Sequence, residues 1–299
     1  MKPEKVDGLS RIVVALSGSA ADDSLLRYTR MLSRAIEGAQ FHFVHVLAAP
    51  SPSRLGPMVT HAAASQDMRA AVLKHFDGDD RFHTHILTGV RVDSLLEFTA
   101  ESGCDLIIVG HRRGASGRRS LARRLAMKAP CTVWMVPEES PPKIGGVLAA
   151  VDFSEPSAFA LKMATLIARI SRLEECIVLH AYFIDSRFPG DDHRSNPNWD
   201  AVDRFAAPID LNGVRLRPLF EESASVSHAV QRVADKERVD LVVVGTRGLT
   251  QSSAILLGSQ SEQVLMDSRI PVVVVKRHGE RVGLLRMLLD RDFQPSSFG

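Results

Sequence analysis

Asp240-Leu241-Val242-Val243-Val244-Gly245-Thr246-Arg247-Gly248, followed after nine residues by Gly258-Ser259-Gln260-Ser261, is the stretch from which the fold can be read. A run of β-branched residues ends in glycine, a second glycine comes three positions on, and a Gly-Ser pair precedes a helix-like segment to Asp267. That order predicts a strand, a loop of backbone amides and a helix N-terminus. Glycines let main-chain N–H groups approach a ligand, and a helix start adds unpaired donors and partial positive charge. An anion, most plausibly a phosphate, suits such a place.

The surrounding composition is that of a globular chain long enough for two domains: 299 residues, 45% hydrophobic and 24% charged. A net charge of +2 gives no bulk reason to expect nucleic acid or membrane as partner. The polar N-terminus does not read as a signal peptide and no run reaches the length of a membrane span, so a cytoplasmic location is expected. Cys104, Cys131 and Cys176 sit in apolar contexts with no paired spacing, and read as small core residues in a reducing compartment.

Outward from the opening stretch, strand and helix patterns alternate through the whole chain, which implies parallel sheets covered on both faces. The pattern is also written twice. Gly146 to Asp152 matches Arg11 to Ser17, His180 matches His45, and Asp240 to Gly245 matches Asp105 to Gly110, each pair 135 positions apart. Such agreement marks an internal duplication. By the last strand the interval is 141, since Pro130 matches Pro271, so the first copy is six residues shorter. The loss falls in the glycine loop, where Gly117-Arg118 replaces Gly258-Ser259. The fold expected is α/β: two tandem Rossmann-like domains, each a mainly parallel five-stranded sheet flanked by helices. The boundaries are residues 1–140 for a degenerate first domain, 141–279 for a second with the intact loop, and 280–299 for a tail with a short amphipathic helix. Between strands two and three of the second copy, 185–212 reads as a long loop with a short helix around Trp199 to Phe205.

With Val151-Asp152-Phe153-Ser154-Glu155-Pro156-Ser157 after a first strand, Leu179-His180 in the second, and the glycine loop before Pro271-Val272-Val273-Val274-Val275, the chain resembles the universal stress proteins in their tandem form. The resemblance implies ATP binding by a copy that keeps the full loop. Carried onto this sequence, Ala150, Val151 and Asp152 would meet the adenosine, while Gly245, Gly248, Gly258 and Ser259 would hold the phosphates with Gln260 nearby. Mg²⁺ would accompany the nucleotide. Family members also pair through the last strand, so Val272 to Lys276 is a candidate edge, either between the two domains of one chain or in a homodimer. The function implied is a nucleotide-dependent regulatory or stress-response module, with at most slow ATP hydrolysis. An unidentified protein partner is also expected.

Each reading has a plainer competitor. Asp152 could start a turn or cap the next helix, but the first copy has Ser17 there, which lacks the charge and reach of an acid. Arg112, Arg113, Arg118, Arg119, Arg123, Arg124 and Lys128 form the densest basic stretch; a solvated helix face or an intramolecular ion-pair surface is preferred over an anion or acidic-partner site, and no aromatics interleave to suggest nucleic acid. His42 and His45, an odd number of residues apart, point to opposite faces of one strand, and His45 and His180 read as packed or hydrogen-bonded strand histidines, not metal ligands. Ser17 to Ser24 faintly resembles the loop of ATP pyrophosphatases, which keeps an adenylating, pyrophosphate-releasing enzyme as one alternative. A nucleotide-independent scaffold using the arginines or the C-terminal leucines is another. No paired general acid and base is evident, so slow hydrolysis would rest on positioning.

Overall fold

The computed structural model describes residues 9–36, 38–48, 60–76, 80–112, 120–183, 199–246 and 257–276. The first half runs β1 (Arg11–Leu16), α1 (Asp22–Ala35), β2 (Gln40–Leu47), α2 (His61–Leu73), β3 (Phe82–Thr88), α3 (Arg91–Glu101), β4 (Leu106–His111), α4 (Leu121–Lys128) and β5 (Thr132–Pro137). The second repeats it: β6 (Val147–Ala150), α5 (Glu155–Ile170), β7 (Glu175–Tyr182), α6 (Trp199–Ala206), β8 (Arg215–Glu222), α7 (Val226–Glu237), β9 (Leu241–Gly245), α8 (Ser259–Asp267) and β10 (Val272–Val275).

The ten strands form one sheet in the order β3-β2-β1-β4-β5-β10-β9-β6-β7-β8. Each half supplies the five mainly parallel strands expected of it, and the halves join edge to edge. Every pairing within a half is parallel, and β5 meets β10 antiparallel, with Val273 opposite Trp134. The last strand's edge is therefore filled from within the chain, which settles the pairing of the two halves in favour of the intramolecular form. The tail 280–299, with its leucines, lies outside the described residues.

Side-chain alternation along the strands sorts the core into two layers, and both run across the junction. One layer holds Ile12, Val14, Trp134, Val273 and Val275 under helices α1, α2, α5 and α6. The other holds Val13, Ala15, Met135, Val272 and Val274 under α3, α4, α7 and α8. Strands covered on both faces are apolar at successive positions, which is why their sequences read as continuous runs.

The duplication extends to single atoms. Asp105 Oδ2 accepts from Ser10 N at 2.8 Å and Asp240 Oδ2 accepts from Gly145 N at 2.8 Å, each clamping the entry to the half's first strand. His45 Nδ1 reaches Leu16 O at 3.2 Å and His180 Nδ1 reaches Val151 O at 2.9 Å. A carbonyl can only accept, so each ring carries its proton on Nδ1. These are hydrogen-bonded strand histidines, as expected. Gly18 (φ +76°) and Phe153 (φ +62°) occupy the same left-handed turn. Glycine takes it without strain, whereas the phenylalanine packs its ring 4.6 Å from His180.

Candidate functional site

Strand order reverses beside the first strand of each half, and open α/β sheets leave a crevice at that point, at the carboxyl ends of the strands. In the second half it lies between β6 and β9, which pair with Ala150 opposite Val244. A cavity of about 150 Å³ opens there, lined by Ala150, Val151, Asp152, Gly245, Gly258, Ser259 and Gln260 among others. Seven of the eight predicted site residues thus share one cavity. The eighth, Gly248, lies outside the described residues together with the rest of 247–256. The enclosed volume is below the ~300 Å³ at which small-molecule pockets usually begin.

Asp152 follows β6 directly. Its Oδ1 accepts from the Ser154 amide at 3.1 Å and from the Ser154 hydroxyl at 2.5 Å. The Asp152 carboxylate therefore closes the turn into α5, as the plainer reading held, while also lining the cavity. Burial disfavours its charged form, yet the bonds from the Ser154 hydroxyl and amide and from Ser157 outweigh this and hold the carboxyl below its usual range. It is ionised at neutral pH.

On the opposite wall, Gly258 precedes α8 in extended conformation and brings no capping side chain. The first-turn amides of Ser259, Gln260 and Ser261 consequently have no partner within the helix, and the helix dipole adds positive potential. Ser261 Oγ donates to Gly245 O at 2.6 Å, tying this helix start to the end of β9. Gly245 is required by the protein itself: a Cβ there would run into the carbonyl of Pro156 and lie 3.1 Å from Ser157 N. An acceptor on one side and free amides on the other suit a ligand with hydroxyl donors at one end and an anion at the other.

Sequence reasoning assigned no role to Ser157, Leu179, Ala181, Thr246 or Val264, all of which line this cavity. Alternation on β7 carried the signal for Leu179 and Ala181, but which face meets the crevice is a matter of register.

The equivalent crevice of the first half is larger, about 540 Å³, and differently furnished. Ser17 stands where Asp152 does, and Asp22 takes up the strand-end donors: its Oδ1 accepts from Ser17 N at 2.9 Å and its Oδ2 from Gly18 N at 2.8 Å. Arg112 pairs with Glu138 at 3.2 Å at the rim. Volume and chemistry thus disagree between the halves, and chemistry is the better guide: the carboxylate of the second crevice is replaced by an uncharged hydroxyl, and Asp22 turns inward onto the strand-end amides. Residues 113–119, which include Gly117 and Arg118, lie outside the described set.

Within the basic stretch, Arg123 on α4 reaches Glu262 on α8 at 2.5 Å, bridging the two halves. His42 contacts His85 (Nδ1 to Nε2, 3.0 Å) and stacks on His83, apart from His45. Burial, reinforced by the neighbouring histidines, pushes His42 down to about 4. Among the described residues no group of three or more His, Cys, Asp or Glu is arranged to hold a metal ion, and no helix is long and apolar enough to cross a membrane.

The family model described as the universal stress protein family matches residues 8–137 and 144–276. A universal stress protein of Methanocaldococcus jannaschii is 38% identical over 65 residues, covering 22% of this chain and 38% of that protein. A second from the same organism is 44% identical over 48 residues, 16% of this chain and 30% of that protein. The aligned stretches span only about a third of these curated relatives. Among solved structures, a universal stress protein from Archaeoglobus fulgidus aligns over 89% of this chain and 96% of its own, with a TM-score of 0.64 and 17% identity. At that identity the likeness is one of fold.

Proposed function

Because this chain belongs to the universal stress protein family and carries two copies of its domain, we propose that the second copy binds ATP and that the protein is a nucleotide-dependent regulatory module. The observation that carries this reading is the cavity between β6 and β9, where an ionised Asp152 faces the uncapped start of α8. Ribose hydroxyls can donate to Asp152, and the phosphates match the amides of Ser259 and Gln260 with the helix dipole behind them. Ala150, Val151, Gly245 and Gly258 line the space between, and Gly248 belongs to the same loop by sequence.

Mg²⁺ fits as a companion of the phosphates, since Mg²⁺ generally keeps waters and takes few protein ligands. The Ser259 hydroxyl, beside the amides that would hold the phosphates, is an oxygen donor open to it. It would supply charge neutralisation at the phosphates; the chain's own residues bind and orient. The first copy serves as a structural partner, its strand-end amides occupied by Asp22. A cytoplasmic site of action is part of the same reading.

Calorimetric titration of the full chain with ATP and Mg²⁺ should give one nucleotide per chain. Asp152→Ala should weaken binding about 10- to 100-fold, the loss of a hydrogen bond to a charged group, whereas Asp152→Asn should keep the turn into α5 and lose mainly the charge. At a hundred times its dissociation constant ATP should add about 2.7 kcal/mol of stability. Absence of binding, with no nucleotide released from freshly purified and denatured protein, ends the proposal; two per chain transfers a site to the first copy.

A further inference from the structure

At the end of the first half's strands opposite to its own crevice, the approaches to β4 and β5 bring two thiols together. Cys104 Sγ lies 3.2 Å from Cys131 Sγ and donates its proton toward it. Both thiols are free, and Cys104 is 8% exposed while Cys131 is 0% exposed. Neither cysteine lies near Cys176 in sequence or in the same pair.

A third group arrives from the other half. Antiparallel pairing of β10 with β5 carries the residue after β10 to the start of β5, where Lys276 N meets Thr132 Oγ1 at 3.4 Å and Lys276 Nζ donates to Ala129 O at 2.5 Å. Lys276 is 6% exposed, and its ammonium lies within electrostatic reach of Cys131. The second copy has no counterpart to this arrangement: the positions equivalent to Cys104 and Cys131 are Val239 and Val272, both buried in the same core layer. Valine therefore satisfies the packing at both places, and a pair of contacting sulfurs beside a buried cation is not needed to fill the space.

We propose that Cys104 and Cys131 are an oxidation site of this protein, closing to a reversible disulfide in response to hydroperoxides, with Lys276 as the positioning residue that supports negative charge on sulfur. One sulfur gives up its proton and attacks the outer oxygen of the peroxide. The O–O bond breaks, an alcohol or water leaves, and a sulfenic acid remains. The second thiol attacks that sulfur, the S–S bond forms, the S–O bond breaks, and water carries off the oxygen with the remaining proton. Two thiols and one hydroperoxide thus yield one disulfide, one alcohol (or water) and one water. The sulfurs need to approach by only about a further 1 Å to reach bonding distance. The hydrogen bond to Cys131, reinforced by burial, holds the Cys104 proton in place, so closure is slow. The bond would link the entries to β4 and β5, beside the seam where the two halves meet.

The test is thiol counting on the native full-length chain with hydrogen peroxide as the probe, followed by alkylation under denaturing conditions and peptide mass spectrometry. Three alkylated cysteines per chain are expected before treatment and one, Cys176, afterwards, with a Cys104–Cys131 linked peptide that dithiothreitol abolishes. Cys104→Val and Cys131→Val, which install the residues of the second copy, should fold and give no reducible link. Lys276→Met should slow thiol loss at least threefold at neutral pH; an unchanged rate removes Lys276 from the site. Retention of three thiols, irreversible oxidation without a link, or a link through Cys176 or between chains overturns the proposal.

Discussion

Gly245, at the end of β9, and its counterpart Gly110, one residue short of the end of β4, would meet different surroundings with an added methyl group. At Gly245 it would strike the backbone of Pro156, whereas at Gly110 its nearest neighbour is a Leu25 methyl at 3.7 Å, an ordinary contact. Gly245→Ala should therefore cost about 1–3 kcal/mol through displacement of the start of α5, while Gly110→Ala should stay within about 0.5 kcal/mol. Urea denaturation of both variants measures this, and equal costs would show that α5 yields freely. The glycine was legible in the sequence as the end of a strand. Its reason was not, because the obstacle belongs to a helix nearly ninety residues earlier. Asp152 was read as either a ligand contact or the start of a turn or helix cap; one of its oxygens closes the turn before α5, whose cap residue is Ser154, without removing the residue from the cavity wall.

At the level of elements, the strands stand where the apolar runs placed them, and α6 begins at Trp199 as its pattern predicts. The helix after the glycine loop begins at Ser259, within the Gly-Ser pair expected to precede it, because Gly258 takes the extended conformation of a cap. What periodicity could not reveal is which helices touch. Arg123 on α4 and Glu262 on α8 meet with side chains 19% and 29% exposed, so the first copy braces the helix whose N-terminus faces the cavity. A double-mutant cycle on Arg123→Ala and Glu262→Ala should return a coupling of about 0.5–1 kcal/mol that weakens with added salt. Additive effects would reduce the pair to a surface contact. The arginines of this stretch read as a solvated or ion-paired face, and Arg112 and Arg123 are in ion pairs.

The whole molecule is held at the β5–β10 seam, and Lys276 sits in it. Burial pushes its ammonium down to about 8 from an ordinary 10.5. The folded chain thus releases this proton first, and between about pH 8 and 10.5 the unfolded chain binds more protons, so stability rises with pH across that window. Below pH 8 the full cost of burying the cation is present. The effect is of the order of 3 kcal/mol. Lys276→Met should flatten the pH dependence between pH 8 and 10 and stabilise the protein at pH 7, as replacement of a buried charge by an apolar chain often does. Denaturation curves at pH 7, 8, 9 and 10 for both chains decide it, and identical slopes would refute the argument.

By itself the sequence determined the repeat, the α/β class and the location of the cavity walls, since each follows from local pattern: apolar runs, glycine positions and an interval of 135 residues. Only the tertiary structure decided that the two halves share one ten-stranded sheet, that Asp22 occupies the first copy's strand-end amides, and that Cys104, Cys131 and Lys276 converge. The physical reason is that strand propensity specifies an edge without specifying its neighbour. Pairing β5 with β10 antiparallel brings together residues up to 147 positions apart, and no local pattern records that.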